Sequence, residues 1–267
     1  MGIMQKGWFK ADIMIPMIKE YRINKMLSCL ECIDNNMFDR DKQRECILNL
    51  YPGKNEKSVF RGMVISTLRH LDLIVGYSDM IGISANAKLM IKSKRNQELH
   101  DRVIRAVFVE IDLKTFKFLD LVKTKGRFVY SGDNRLRERE GKWMTILTQL
   151  KIIENDSINN KILNKTLIDL DKKSKKDSFN KALFSGYEKL ANTINMADIE
   201  SLREKVALFF LSQNKILTED QFDGLLKDIK PVTKDYIISF GSSIGTGKPF
   251  KYGNDYYGTI SIKKLVE

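Results

Sequence analysis

The triplet Asp112-Leu113-Lys114, with Asp101 upstream of it, has the residue types of a metal-dependent phosphodiester hydrolase. Paired carboxylates can hold Mg²⁺, and a lysine can orient the attacking water. Such a core carries its acids on strands, whereas Leu99, Val103, Ile104, Val107, Phe108 and Ile111 recur at the spacing of one helical face. Asp101, Asp112 and Lys114 are therefore not assigned as catalytic in the preferred reading, and carry only the alternative of a complete endonuclease, which would rest on Asp112 and Lys114. Mg²⁺ is expected only if the chain has a nuclease activity.

Cys29-x-x-Cys32, with Cys46 and His70, has the composition of a three-cysteine, one-histidine zinc site. No second cysteine or histidine pair accompanies it, and it falls in an amphipathic helix, where cysteine packs as a small hydrophobe. No metal is assigned. Three cysteines in 267 residues do not make a disulfide framework, which agrees with a reducing cytoplasm. His100 has no nucleophile beside it. Gly241–Pro249 fails as a phosphate-binding loop, because Ser242 stands where its first glycine belongs and Pro249 replaces the Ser or Thr that holds magnesium. It reads as a hairpin loop whose Lys248 and Lys251 touch phosphates. Tyr252, Tyr256 and Tyr257 fit cross-strand packing better than base stacking.

Two other stretches offer recognition chemistry. A helix from Lys57 to Leu73 would bury Phe60, Val64, Thr67, Leu68 and Leu71. It would turn Ser58, Gly62, Ser66 and Arg69 outward, with Arg61 and Ile65 at the edge of that face. Small residues beside arginines allow close approach to a DNA major groove, where arginine pairs with guanine O6 and N7. A helix from Asn134 to Leu150 would bury Leu136, Trp143, Leu147 and Leu150, and present Arg137, Glu138, Gly141, Lys142, Thr145, Thr148 and Gln149. That face offers donors and acceptors besides charge. The candidate base-reading residues are Arg61, Ser66, Arg69, Arg137, Lys142, Thr145 and Gln149; Lys57, Lys88, Lys92, Lys94 and Arg95 are candidate phosphate contacts.

The elements that must position these residues sit in a chain of net charge +12. Residues 1–96 hold 16 basic and 10 acidic side chains, residues 97–181 hold 19 and 13, and residues 182–267 hold 11 of each. The excess belongs to the first two thirds. Basic surface of this kind binds nucleic acid through counterion release. No run of eighteen apolar residues exists, so no membrane partner is expected, and Met1–Phe9 lacks the apolar core of a signal peptide.

The pattern predicts a mainly α protein with small β-hairpins (α+β), divided into modules 1–96, 97–177 and 178–267. The first reads as a helix over Tyr21–Asn35, a second from the cap Asp39 to Leu50, the helix to Leu73, then a hairpin of Ile74–Tyr77 and Ile81–Ser84. The second reads as Gln97–Asp112, Phe116–Val122, Asn134–Leu150 and a hairpin of Ile152–Glu154 with Lys161–Leu163. Leu68–Ile74 and Leu147–Ile153, 79 residues apart, share one apolar pattern. The third carries helices at Glu200–Leu211 and Thr218–Ile229, then strands Tyr236–Phe240 and Tyr256–Ile262. Three helices followed by a two-stranded wing is the order of a winged helix, a helix-turn-helix relative.

Ile83-Ser84-Ala85-Asn86-Ala87-Lys88-Leu89-Met90, read as a wing strand, leads into the helix of Glu98 to Phe108. This stretch resembles the recognition region of type IIS restriction endonucleases of the FokI kind. The resemblance implies tandem winged-helix subdomains, of which the first two contact DNA and the third meets protein. It also implies a separate nuclease domain or subunit. Double-stranded DNA is then the expected partner and the cytoplasm the expected location, with no cofactor needed for binding. A complete Mg²⁺-dependent endonuclease, and a transcriptional regulator or replication initiator, are the alternatives.

Overall fold

In a computed structural model, residues 18–37, 39–76, 80–116, 119, 130, 132–155, 161–163, 173–242 and 247–265 are described. The chain is mainly helical, with a few small antiparallel strand pairs. Helix α1 (Ile23–Asn35) buries Ile23, Met26, Leu27, Leu30 and Ile33, the predicted stripe. Asp39 accepts from the Lys42 N–H at the start of α2 (Arg40–Asn49). The third helix differs from its expected form. Ser58–Ile65 winds as a π-helix and passes without a break into α3 (Ser66–His70). Phe60, Val64, Thr67, Leu68 and Leu71 are buried, as expected, but so is Ile65, which the wider turn carries inward.

Strands β1 (Ile74–Val75) and β2 (Gly82–Ile83) pair antiparallel. Gly76 stands in this hairpin at φ +85°, where a Cβ would lie 2.0 Å from the Met80 carbonyl oxygen, so only glycine fits. The expected turn at Ser78-Asp79 lies outside the described residues. Beyond β2 the wing-strand reading of Ile83–Met90 is overturned: Ser84 caps a helix, α4 (Ala85–Lys92), by accepting from the Ala87 N–H at 3.2 Å. A turn at Ser93–Arg95 leads to α5 (Gln97–Thr115). The helix expected over Phe116–Val122 lies outside the described residues except for Phe116 and Leu119. Helix α6 (Asn134–Gln149) and the pair β3 (Ile153–Asn155) and β4 (Lys161–Leu163) follow, as predicted.

The 79-residue likeness is structural. Asp72 and Lys151 both adopt left-handed backbone, at φ 52° and 56°. The Leu73 N–H reaches the Leu68 carbonyl at 2.9 Å, and the Ile152 N–H reaches the Leu147 carbonyl at 3.0 Å. Both helices thus end in the same reverse turn, which feeds an apolar residue straight into a strand.

One hydrophobic core nonetheless runs from Ile18 to Ile153, so packing does not divide at residue 96. Phe108, Phe116 and Trp143 lie at its centre, with Phe116 stacked on Trp143 at 4.2 Å. Cys32 and Cys46 correct the reading of three free cysteines: they form a disulfide joining α1 to α2, with Cα atoms 5.6 Å apart. Helices brought side by side do what the sparse count did not suggest.

A second core holds α7 (Lys173–Leu190), α8 (Ile199–Ser212) and α9 (Glu219–Lys227) against a sheet ordered β5 (Ala197–Asp198), β9 (Thr259–Lys264), β6 (Tyr236–Gly241). The predicted long hairpin forms as the antiparallel pair of β6 and β9, with β5 added along the β9 edge. A smaller one, β7 (Phe250–Tyr252) with β8 (Asp255–Tyr257), interrupts it, and Phe240 packs on Phe250, Tyr252 and Tyr257. Helix α8 has two working faces. Ile199, Leu202, Val206 and Phe210 enter the second core, while Ala207, Leu211 and the following Ile216 pack into the first.

Candidate nucleic-acid interface

The helical stretch Ser58–His70 is held from behind. Thr67 is buried, and its Oγ1 accepts from the N–H groups of Lys19 and Glu20 at 3.1 and 3.3 Å. Glu20 in turn takes a bidentate hydrogen bond from Arg22, at 2.9 and 2.7 Å, and one from the Tyr51 hydroxyl at 2.7 Å. Burial pushes the Glu20 carboxyl up, but the Arg22 and Tyr51 hydrogen bonds hold it below its ordinary value. The buried Gln43 amide donates to the carbonyls of Asn36 and Ile81, at 3.1 and 2.8 Å, tying α2 to the hairpin. The helix is therefore anchored at Thr67 to a chain of buried and half-buried hydrogen bonds through Glu20.

Its outer side forms two adjoining grooves. One, of about 550 Å³, is lined by Arg40, Arg61, Ser66, Arg69 and His70 over a floor of Phe60, Ile65 and Ile81. The other, of about 420 Å³, shares Arg40, Phe60 and Arg61 and adds Arg44 and Lys57, with Asp41 and Glu56 on its rim. Arg44 is ion-paired to Glu56. Arg61 and Arg69 are exposed. The structure thus brings together four of the predicted residues, Lys57, Arg61, Ser66 and Arg69. It adds Arg40, Arg44 and His70, which the sequence reading left out as contacts, and Lys19, whose ammonium would lie 3.9 Å from a Cβ at Gly62. The Asp39 cap was the available signal, since it fixes Arg40 in the first turn of α2.

The second set is dispersed. Arg137 and Thr145 are exposed on α6, but Lys142 is paired with Glu138 at 2.8 Å and the Thr145 hydroxyl returns to the Gly141 carbonyl. Gln149 lies apart from them, in a groove of about 980 Å³ with Arg22, Lys25, Lys94 and Asp101, and donates to the Tyr21 carbonyl at 3.3 Å. Lys94 is paired with Glu31 at 2.5 Å, whereas Lys92, Arg95 and Lys251 are exposed. Lys88 and Lys248 have other partners: Lys88 meets Glu204 at 2.7 Å, and Lys248 meets the buried Glu219 at 2.7 Å. They belong to the junction of the two cores instead of an open surface.

The residues with hydrolytic chemistry are also occupied. Asp112 is fully buried, accepting from the Trp143 indole and the Leu119 N–H at 2.6 Å each. Lys114 lies 3.3 Å from Asp72, and Asp101 accepts from the Gln97 amide at 2.8 Å. Cys29 is buried against the Tyr51 hydroxyl, and burial pushes its thiol up to about 11. His100 is buried with its Nδ1 2.8 Å from the Ser93 hydroxyl, and burial holds it below its ordinary value. Among the described residues no group of three His, Cys, Asp or Glu could hold a metal ion, and no helix is long and apolar enough to cross a membrane. The chain matches no protein-family model, no curated protein and no solved structure.

Proposed function

We propose that the chain binds double-stranded DNA with sequence preference, seating the Ser58–His70 face in the major groove. The observation that carries the reading is the pair of adjoining grooves in which Arg40, Lys57, Arg61, Ser66 and Arg69 share one face. Arg61 and Arg69 are the base-reading residues, Gly62 and Ser66 permit close approach, and Lys57 with Arg40 engages phosphates. The order of helices and hairpin before and after residue 96 supports a tandem winged-helix reading, with Arg137, Thr145 and Gln149 as a second, weaker contact set. In the most concrete form the chain is the recognition part of a type II restriction endonuclease. A partner subunit or domain then supplies the nuclease and its Mg²⁺, because Asp112 is spent on Trp143 and Leu119.

Selection of bound sequences from a random duplex pool tests the reading, followed by Arg69→Ala on the selected site. The substitution is expected to weaken selected DNA by about 1 to 3 kcal/mol and random DNA by much less. Equal losses on both would remove the base-reading role, and a pool without enrichment would remove sequence preference.

A further inference from the structure

The two cores meet across a polar joint at the N-terminus of α4. The Ala85 N–H donates to Glu200 and the Asn86 N–H to Glu219, each at 3.0 Å. Asn86 is itself a bridge: its Oδ1 accepts from the Glu219 N–H at 3.0 Å, and its Nδ2 donates to Glu110 on α5 at 2.8 Å. The other Glu110 oxygen accepts from the Asp220 N–H. Arg203, fully buried, forks onto Asp223 at 2.8 and 3.0 Å and also reaches Glu200 at 2.9 Å.

Charges at this joint do not balance. Glu110, Glu200, Glu204, Glu219, Asp220 and Asp223 face Lys88, Arg203 and Lys248, with Lys114 shared between Asp72 and, at 4.0 Å, Asp220. Glu219 has Lys248, Glu204 has Lys88, and Glu200 and Asp223 share Arg203. Glu110 receives hydrogen bonds only from neutral N–H groups among the described residues, and Glu219 and Asp220 stand beside it. Glu110 is half-buried, and a carboxylate withdrawn from water beside two others, without a cation of its own, is costly to keep ionised.

We infer that the joint is proton-coupled: the two cores dock with Glu110 protonated, and docking loosens as the solution turns alkaline. Burial, then Asp220 and Glu219, pushes Glu110 up to about 8. Burial and Glu219 push Glu200 up to about 7 against the pull of Arg203. Glu219 goes the other way, held down by Lys248 despite its burial, and stays charged throughout. In an open or unfolded chain Glu110 and Glu200 would titrate near about 4.3. The docked form thus binds extra protons above that value. Its stabilisation is complete below about pH 4 and is lost as pH rises through about 7 to 8.

Calorimetry of the full chain between about pH 6 and about pH 8.5, with amide exchange read on α4, provides the test. The wild type is expected to lose melting temperature steadily across that range. Glu110→Gln should flatten the slope, and protection of the Ala85 and Asn86 amides should fall about tenfold more than that of Val107, which lies inside the first core. A Glu110→Gln slope equal to that of the wild type would overturn the inference. If that variant does not fold, amide exchange on the wild type decides: unchanged relative protection of Ala85 and Asn86 across the range overturns it equally.

Discussion

Asp112 accepts two short hydrogen bonds at 2.6 Å inside the first core, one pinning the indole around which Phe108 and Phe116 gather, the other holding the chain at Leu119. Removing the carboxylate strands two buried donors, so Asp112→Ala should cost about 3 kcal/mol in urea unfolding, with Asp112→Asn costing less because one acceptor survives. A residue whose type and neighbours suggest catalysis is here structural, and the helical period of its flanks was the legible warning. Lysines divide in the same way. Lys57 stands exposed on the groove, while the side chain of Lys88 is only 19% exposed and closes on Glu204. Lys57→Gln should lower the slope of log affinity against log salt by about one. Lys88→Gln should leave that slope unchanged and lower the melting temperature. Charge in a sequence carries no mark of its partner, which for Lys88 lies 116 residues away.

Helix ends carried the clearest signal at the scale of elements. Leu68–Ile74 and Leu147–Ile153 were alike because each must stop a helix, reverse through one left-handed residue and start a strand. Neither left-handed position is glycine. Lys151 is exposed and no partner competes for it among the described contacts, so Lys151→Gly should raise stability by about 0.5 to 1 kcal/mol, measured as a shift in the urea midpoint at constant slope. A loss of stability would mean that the Lys151 side chain holds the turn. Two features of the elements were not legible. The π-helical turn at Ser58–Ile65 has the same residue types as an α-helix, since the difference lies in which carbonyl each N–H selects. Helix α4 reads as a strand because its eight residues are too few for a full periodic signature, although Ser84 offers the cap. That error hid the joint, for it is the N-terminus of α4 that Glu200 and Glu219 engage.

At the scale of the whole molecule, the balanced charge of residues 182–267 misled. Glu200, Glu204, Glu219 and Asp223 are drawn inward at the joint with Arg203 and Lys248, leaving nine basic and seven acidic residues elsewhere in that stretch. The remainder of the stretch has a small basic excess, and neutrality of the segment gives no reason to reserve it for protein contacts. The sequence reads as three modules where packing makes two cores, and it does not show the helix that belongs to both. Every third or fourth residue of α8 faces the second core, and the apolar positions on its other side, Ala207 and Leu211, pack into the first. One helix shared between cores should make them unfold as a unit. Ala207, 5% exposed, is the position at which to break that coupling. Ala207→Asp places an unpaired carboxylate against the first core while leaving Leu202, Val206 and Phe210 in the second. Calorimetry should then resolve two transitions where the wild type shows one, the two heats together matching the original. A single transition, merely shifted to lower temperature, would mean that the polar contacts of Asn86, Glu200 and Glu219 suffice to couple the cores without the apolar seam.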